Sequence, residues 1–198
     1  LNFMNHKEFE GSLMKNEQID ATVMFIDVCG FTAITEQAPA NTVVSLLNGL
    51  FDNIVKEVIA QGGHVDKFMG DCVMAVYRGD YHLDRAIDTA LVVKQQLDYA
   101  EEIKMGDISY KPAISIGINS GEMVSGNIGS VSLKRLDYTV IGDTVNLSQR
   151  LQSAAKAGQI VITEDIYNKI KESFKCEKIG EVTLKNKSKA FTIYEVLE

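Results

Sequence analysis

Cysteine is scarce in this 198-residue chain, and basic residues are outnumbered. The three cysteines, Cys29, Cys72 and Cys176, are odd in number and irregularly spaced. That excludes a disulfide framework and the paired spacing of a zinc site, and it fits a reducing, cytoplasmic setting. Lys and Arg total 20 against 27 Asp and Glu, a formal charge of -7. Such a field repels phosphate polymers, so a nucleic-acid partner is disfavoured. A small anionic nucleotide would need local cations or metal ions. No apolar run approaches the ~20 residues that span a bilayer, and no secretory signal is present. A chain that starts at Leu1 is expected to be part of a larger multidomain protein. Any membrane attachment would then lie in parts not seen here. There is no internal repeat and no low-complexity stretch.

What is present suits one domain with a real core, since 45% of residues are apolar. Residues 1–20 are polar and mixed and read as a linker, and residues 21–198 as the domain. Residues 21–28 (A-T-V-M-F-I-D-V) form an apolar strand that ends at a Cys-Gly-Phe-Thr turn. Apolar residues at helical spacing over 39–60 predict a long helix that Gly62 and Gly63 stop. Residues 64–69 and 72–77, around Gly70-Asp71, predict a hairpin, and 80–103 a second helix. Residues 113–119 and 123–128, through Ser120-Gly121-Glu122, predict a second hairpin. The order is β-α-β-β-α-β. It implies an α+β, ferredoxin-like core, an antiparallel sheet with helices on one face. Residues 130–140 read as a protruding arm. A helix capped by Asp143 and running to about residue 157 follows. A strand (160–162), a short helix (164–173) and two strands (178–184 and 191–197) form a small C-terminal α/β extension.

Two acids stand out. Asp27 ends the first apolar strand and Asp71 sits at the tip of the first hairpin. In a βαββαβ sheet the first and third strands are neighbours, so the two can converge. Desolvated carboxylates side by side are costly unless a cation lies between them. Mg²⁺ accepts one or two carboxylates plus phosphate oxygens, and two such ions serve in-line displacement at phosphorus. The competing reading is that Asp71 only makes a turn and Asp27 only ends a strand.

Three segments read together go further. F-I-D-V-C-G-F-T at 25–32, V-D-K-F-M-G-D-C-V-M-A at 65–75 and D-Y-T-V-I-G-D-T-V-N-L-S-Q-R-L at 137–151 resemble, in order and separation, the catalytic segments of class III adenylyl and guanylyl cyclases. The resemblance covers residues 20–198. It implies two Mg²⁺ or Mn²⁺ ions per active site, held by Asp27, Asp71 and the carbonyl of Val28. It implies that the loop of Gly30, Phe31 and Thr32 holds the terminal phosphates through backbone N–H groups. Asn146 and Arg150, four apart on one helix, resemble the pair that positions the ribose and neutralises charge on the α-phosphate.

Lys67 matches the base-reading lysine, and Thr139, seven residues before Asn146, matches the second base-reading position. A donor-only lysine serves N1 of adenine, and a threonine oxygen can accept from the adenine amino group. The implied substrate is therefore ATP, converted to 3′,5′-cyclic AMP and pyrophosphate. The Lys/Thr pair resembles a bacterial-type adenylyl subgroup. Alternatives are a guanylyl cyclase, or a degenerate domain that binds nucleotide and regulates a neighbour. Lys187 matches a phosphate-holding lysine, with Lys185 and Lys189 as alternatives and a solvated hairpin turn as the plain reading. In the family, one protomer supplies the metal-binding aspartates and the other supplies the base-reading and transition-state residues. The resemblance thus implies a head-to-tail homodimer.

Overall fold

The computed structural model describes residues 16–130, 135–183 and 190–198. Strand β1 (Glu17–Val28) is its axis. From Ala21 onward its aliphatic and aromatic side chains are buried on both faces of the sheet. Met24, Ile26 and Val28 join one apolar cluster and Ala21, Val23 and Phe25 another, the period-2 alternation of a central strand. After β1 come α1 (Phe31–Thr35), α2 (Ala40–Ala60), β2 (His64–Met69), β3 (Cys72–Arg78) and α3 (His82–Asp98). Then follow β4 (Ile103–Met105), β5 (Ile108–Tyr110), β6 (Ile114–Ser130), β7 (Arg135–Ile141) and α4 (Asp143–Ala154). The chain closes with β8 (Ile160–Thr163), α5 (Glu164–Ile170), β9 (Cys176–Thr183) and β10 (Ala190–Val196).

The main sheet runs β2-β3-β1-β6-β8-β10-β9, with β7 paired to β6. Every pairing is antiparallel except β6 with β8. This is an α+β architecture, and the first strand does lie beside the third, as its sequence order implied. The larger cluster packs α2, α3 and α5 against one face through residues such as Ile54, Val58, Ile87 and Ile166. The two core helices, α2 and α3, share one face as expected, whereas α4, which follows the core, lies on the other. Gly117 of β6 makes that possible. A Cβ there would collide with the backbone of Ser148 and Gln152, so the helix approaches as closely as it does only over a glycine. Ser148, fully buried, donates to the carbonyl of Val23 (2.8 Å) or of Gly117 (3.0 Å).

Three local readings also change. The expected second hairpin is one continuous strand, β6, because β1 pairs with it from Ile114 to Ser125, straight through the expected turn: Ser120 faces Thr22, Gly121 faces Ala21 and Glu122 faces Asp20. The helix expected to reach residue 103 stops at Asp98, and Ile103–Met105 instead pairs with Ile108–Tyr110 around Gly106 (φ 65°). Helix α4 starts one residue earlier than expected and ends at Ala154. Gly142 is its N-cap, and Asp143 occupies the first turn, where the helix dipole favours an acid. The arm is strand β7, paired with β6 from Arg135 to Ile141.

Candidate active site

The turn between β2 and β3 has two residues, Gly70 (φ 63°) and Asp71, because Met69 pairs with Cys72. Register places Cys72 opposite Asp27, and the Val28 N–H donates to the Asp71 carbonyl at 3.0 Å. The two acids therefore meet at the end of β1. Burial, then the neighbouring Asp71 carboxylate and its hydrogen bond, push Asp27 up to about 6. Among the described residues no group of three or more His, Cys, Asp or Glu could enclose a metal. Two converging carboxylates form an open donor set. That suits Mg²⁺ or Mn²⁺ completed by phosphate oxygens and water, and does not suit a closed zinc site. The raised proton affinity of Asp27 marks the charge a cation would balance. The adjacent thiols are poor nucleophiles: burial pushes Cys72 up to about 12 and raises Cys29.

Just beyond, Gly30 (φ 76°) turns the chain into α1, where Phe31 is buried and Thr32 exposed. This loop is braced from a side that the sequence did not reveal. The Tyr110 hydroxyl donates to the Cys29 carbonyl at 2.9 Å, and a Cβ on Gly30 would lie 3.6 Å from the Tyr110 ring. Cys29 N–H in turn donates to the Ala113 carbonyl at 2.8 Å. The signal for Tyr110 was legible: Met105-Gly106-Asp107-Ile108 is a hairpin turn between short apolar-alternating segments.

On the same face, α4, β2 and β7 enclose a cavity of about 450 Å³ lined by Lys67, Thr139 and Asn146, with Phe25, Met74 and Val145 as apolar walls. Thr139 is buried and its hydroxyl donates to Asp66 Oδ2 at 2.7 Å. Lys67 Nζ lies 3.3 Å from the same oxygen. One turn along α4 from Asn146, Arg150 has a buried Nη1 with no hydrogen-bond partner among the described residues. A buried guanidinium N–H without an acceptor is costly, so this atom calls for an acceptor from outside the described residues. Lys187 lies outside the described residues.

The sequence from 13 to 197 matches the family model of the adenylate and guanylate cyclase catalytic domain. The chain belongs to that family, the class III nucleotidyl cyclases. An adenylate cyclase of Anabaena cylindrica is 34% identical to this cyclase domain over 184 residues, covering 88% of this chain and 36% of that protein. The domain thus spans about a third of that relative's length. Among solved structures, the adenylyl cyclase CyaB from P. aeruginosa superposes with a TM-score of 0.77 at 33% identity, covering 93% of this chain and 97% of that one. The guanylate cyclase domain of RhGC from Catenaria anguillulae, in complex with GTP, gives 0.80 at 26% identity, covering 91% and 98%. Among the described residues of the cyclase domain, no helix is long and apolar enough to cross a membrane.

The raised Asp27 has a measurable consequence. Its proton is held up to about pH 6 in the folded domain but is lost near 3.8 once unfolded. The folded state is therefore the better proton binder between those values, and the metal-free domain loses stability as pH rises through that window. Asp27→Asn, which never charges, is expected to melt higher than wild type at pH 7 and nearly level with it at pH 4. Added Mn²⁺ with a non-hydrolysable ATP analogue is expected to raise the wild-type melting temperature more at pH 7.5 than at pH 5, where the proton competes. Thermal melts across pH check both; a pH-independent difference would show that Asp27 is not the titrating group.

Proposed function

We propose that this domain is an adenylate cyclase that converts ATP to 3′,5′-cyclic AMP and pyrophosphate, at sites shared between two head-to-tail protomers. The observation that carries the reading is the convergence of Lys67, Thr139 and Asn146 on one cavity. A donor-only ammonium and a hydroxyl oxygen that can accept are complementary to N1 and the 6-amino group of adenine. Guanine would set its N1–H against the ammonium.

In this reading Lys67 and Thr139 hold the base and Asn146 orients the ribose. Arg150 donates to the α-phosphate as charge builds there. A planar, always-charged fork is worth most at that point, and its buried Nη1 gains an acceptor. The backbone N–H groups of Gly30, Phe31 and Thr32 hold the terminal phosphates, and Lys187 adds a cation. Asp27, Asp71 and the Val28 carbonyl would hold two Mg²⁺ or Mn²⁺ ions, which would supply activation of the 3′-hydroxyl and neutralisation of the departing pyrophosphate. The bond from O3′ to the α-phosphorus forms as the bond from that phosphorus to the bridging oxygen breaks.

The dimer is supported by the Arg150 atom that has no partner among the described residues and by an exposed apolar strip on β6 and β7: Val124, Ile128 and Ile141. One copy would give Asp27 and Asp71, the second Lys67, Thr139, Asn146 and Arg150. The test is turnover of ATP and of GTP with Mn²⁺ and with Mg²⁺, with products separated by chromatography. Cyclic AMP is expected, with kcat/KM for ATP at least about tenfold above that for GTP. Mainly cyclic GMP would make this a guanylate cyclase. No turnover of either nucleotide would make it a regulatory nucleotide-binding domain.

A further inference from the structure

Asp66 lies in the described structure at a slip in the β2–β3 register. Val65 pairs with Ala75 and Lys67 with Met74, which leaves Asp66 without an opposite residue. Consecutive side chains of a regular strand point to opposite faces, whereas a bulge re-aims one of them. Asp66 and Lys67 are adjacent, yet they meet behind the cavity that Lys67 and Thr139 line: the Asp66 carboxylate, 1% exposed, accepts from Thr139 at 2.7 Å and lies 3.3 Å from the Lys67 ammonium. The strand that carries Lys67 and the strand that carries Thr139 are thereby joined by one buried carboxylate.

We propose that Asp66 is the positioning residue that sets the purine preference of this site, by fixing the direction of the Thr139 hydroxyl. The inference rests on the adenylate reading above. A hydroxyl has one proton and two lone pairs, and a carboxylate has no proton to return. With its proton committed to Asp66, Thr139 offers the cavity only lone pairs. A 6-amino group satisfies them. A 6-oxo group sets oxygen against oxygen, and a buried mismatch of this kind gives large discrimination. A threonine free to turn its hydroxyl would serve either purine. Asp66 also forms an ion pair with Lys67 and so draws its ammonium toward Thr139.

The experiment compares kcat/KM for ATP and GTP in wild type, Asp66→Asn, Thr139→Val and the double variant, with melting temperatures measured alongside. An asparagine amide can donate to Thr139, which lets the hydroxyl turn. The ATP-over-GTP ratio is expected to fall about tenfold or more in Asp66→Asn, through a higher KM for ATP more than a lower kcat. Thr139→Val is expected to lose the same preference, and the double variant no more than either single one, since both changes remove one interaction. If Asp66→Asn does not fold, Asp66→Glu, which keeps the charge but displaces it, must show the same fall. A preserved ratio in a folded Asp66 variant, or additive losses in the double variant, overturns the proposal. A wild-type ratio near or below one overturns the adenylate reading itself, a separate result.

Discussion

Asp71→Asn is expected to leave ATP turnover at less than about a thousandth of wild type, because it removes a charge that the metal-assisted reaction uses directly. The fold should tolerate it. The Asp71 contact in the β2–β3 turn is its backbone carbonyl, which accepts from Val28, and asparagine keeps that carbonyl and suits a turn. The change also withdraws the neighbouring charge that helps raise Asp27. The metal-free variant should therefore melt no lower than wild type while its activity collapses. Steady-state assays with Mn²⁺ and thermal melts on one preparation check both halves. Retained activity would remove the acidic pair from the chemistry.

The second large effect comes from mixing two dead proteins. In the proposed site Asp27→Ala would remove a metal ligand and Arg150→Ala a transition-state donor, so either alone should be nearly inactive. In an equimolar mixture at random, half of the dimers pair one of each. Each such dimer has one site with both defects and one site with neither, so activity should recover to about a quarter of wild type. Native mass spectrometry on differently tagged copies confirms that mixed dimers form. Mixed dimers without activity would place Asp27 and Arg150 in the same copy's site and end the shared-site reading.

Much of this was legible in the residues. The apolar strand that ends in Asp27 and the Gly-Asp turn that carries Asp71 were readable because their signals are local, and the order β-α-β-β-α-β then made them neighbours. The long, strongly periodic helix over Ala40–Ala60 falls within a residue of its expected bounds. What failed depended on partners distant along the chain. Ser120-Gly121-Glu122 has the composition of a turn, and only the length of β1 beside it keeps it extended. The position of α4 opposite the other helices follows from the glycine beneath it, and nothing in the α4 sequence names a face. Asp66 was invisible as a site residue, because alternation sends it away from Lys67 and a register slip is needed to bring it back. Tyr110 was missed for a simpler reason: the residues after the expected helix end at 103 were assigned to no element, so its hairpin went unread.

Gly117 carries a further implication. The height of α4 above the sheet is set by an absent methyl group, and α4 bears both Asn146 and Arg150. Any side chain at that position would act as a shim. It would lift the two proposed transition-state groups together while leaving Asp27 and Asp71 where they are. Alignment between the halves of the machine is thus guarded by a residue that touches neither nucleotide nor ion.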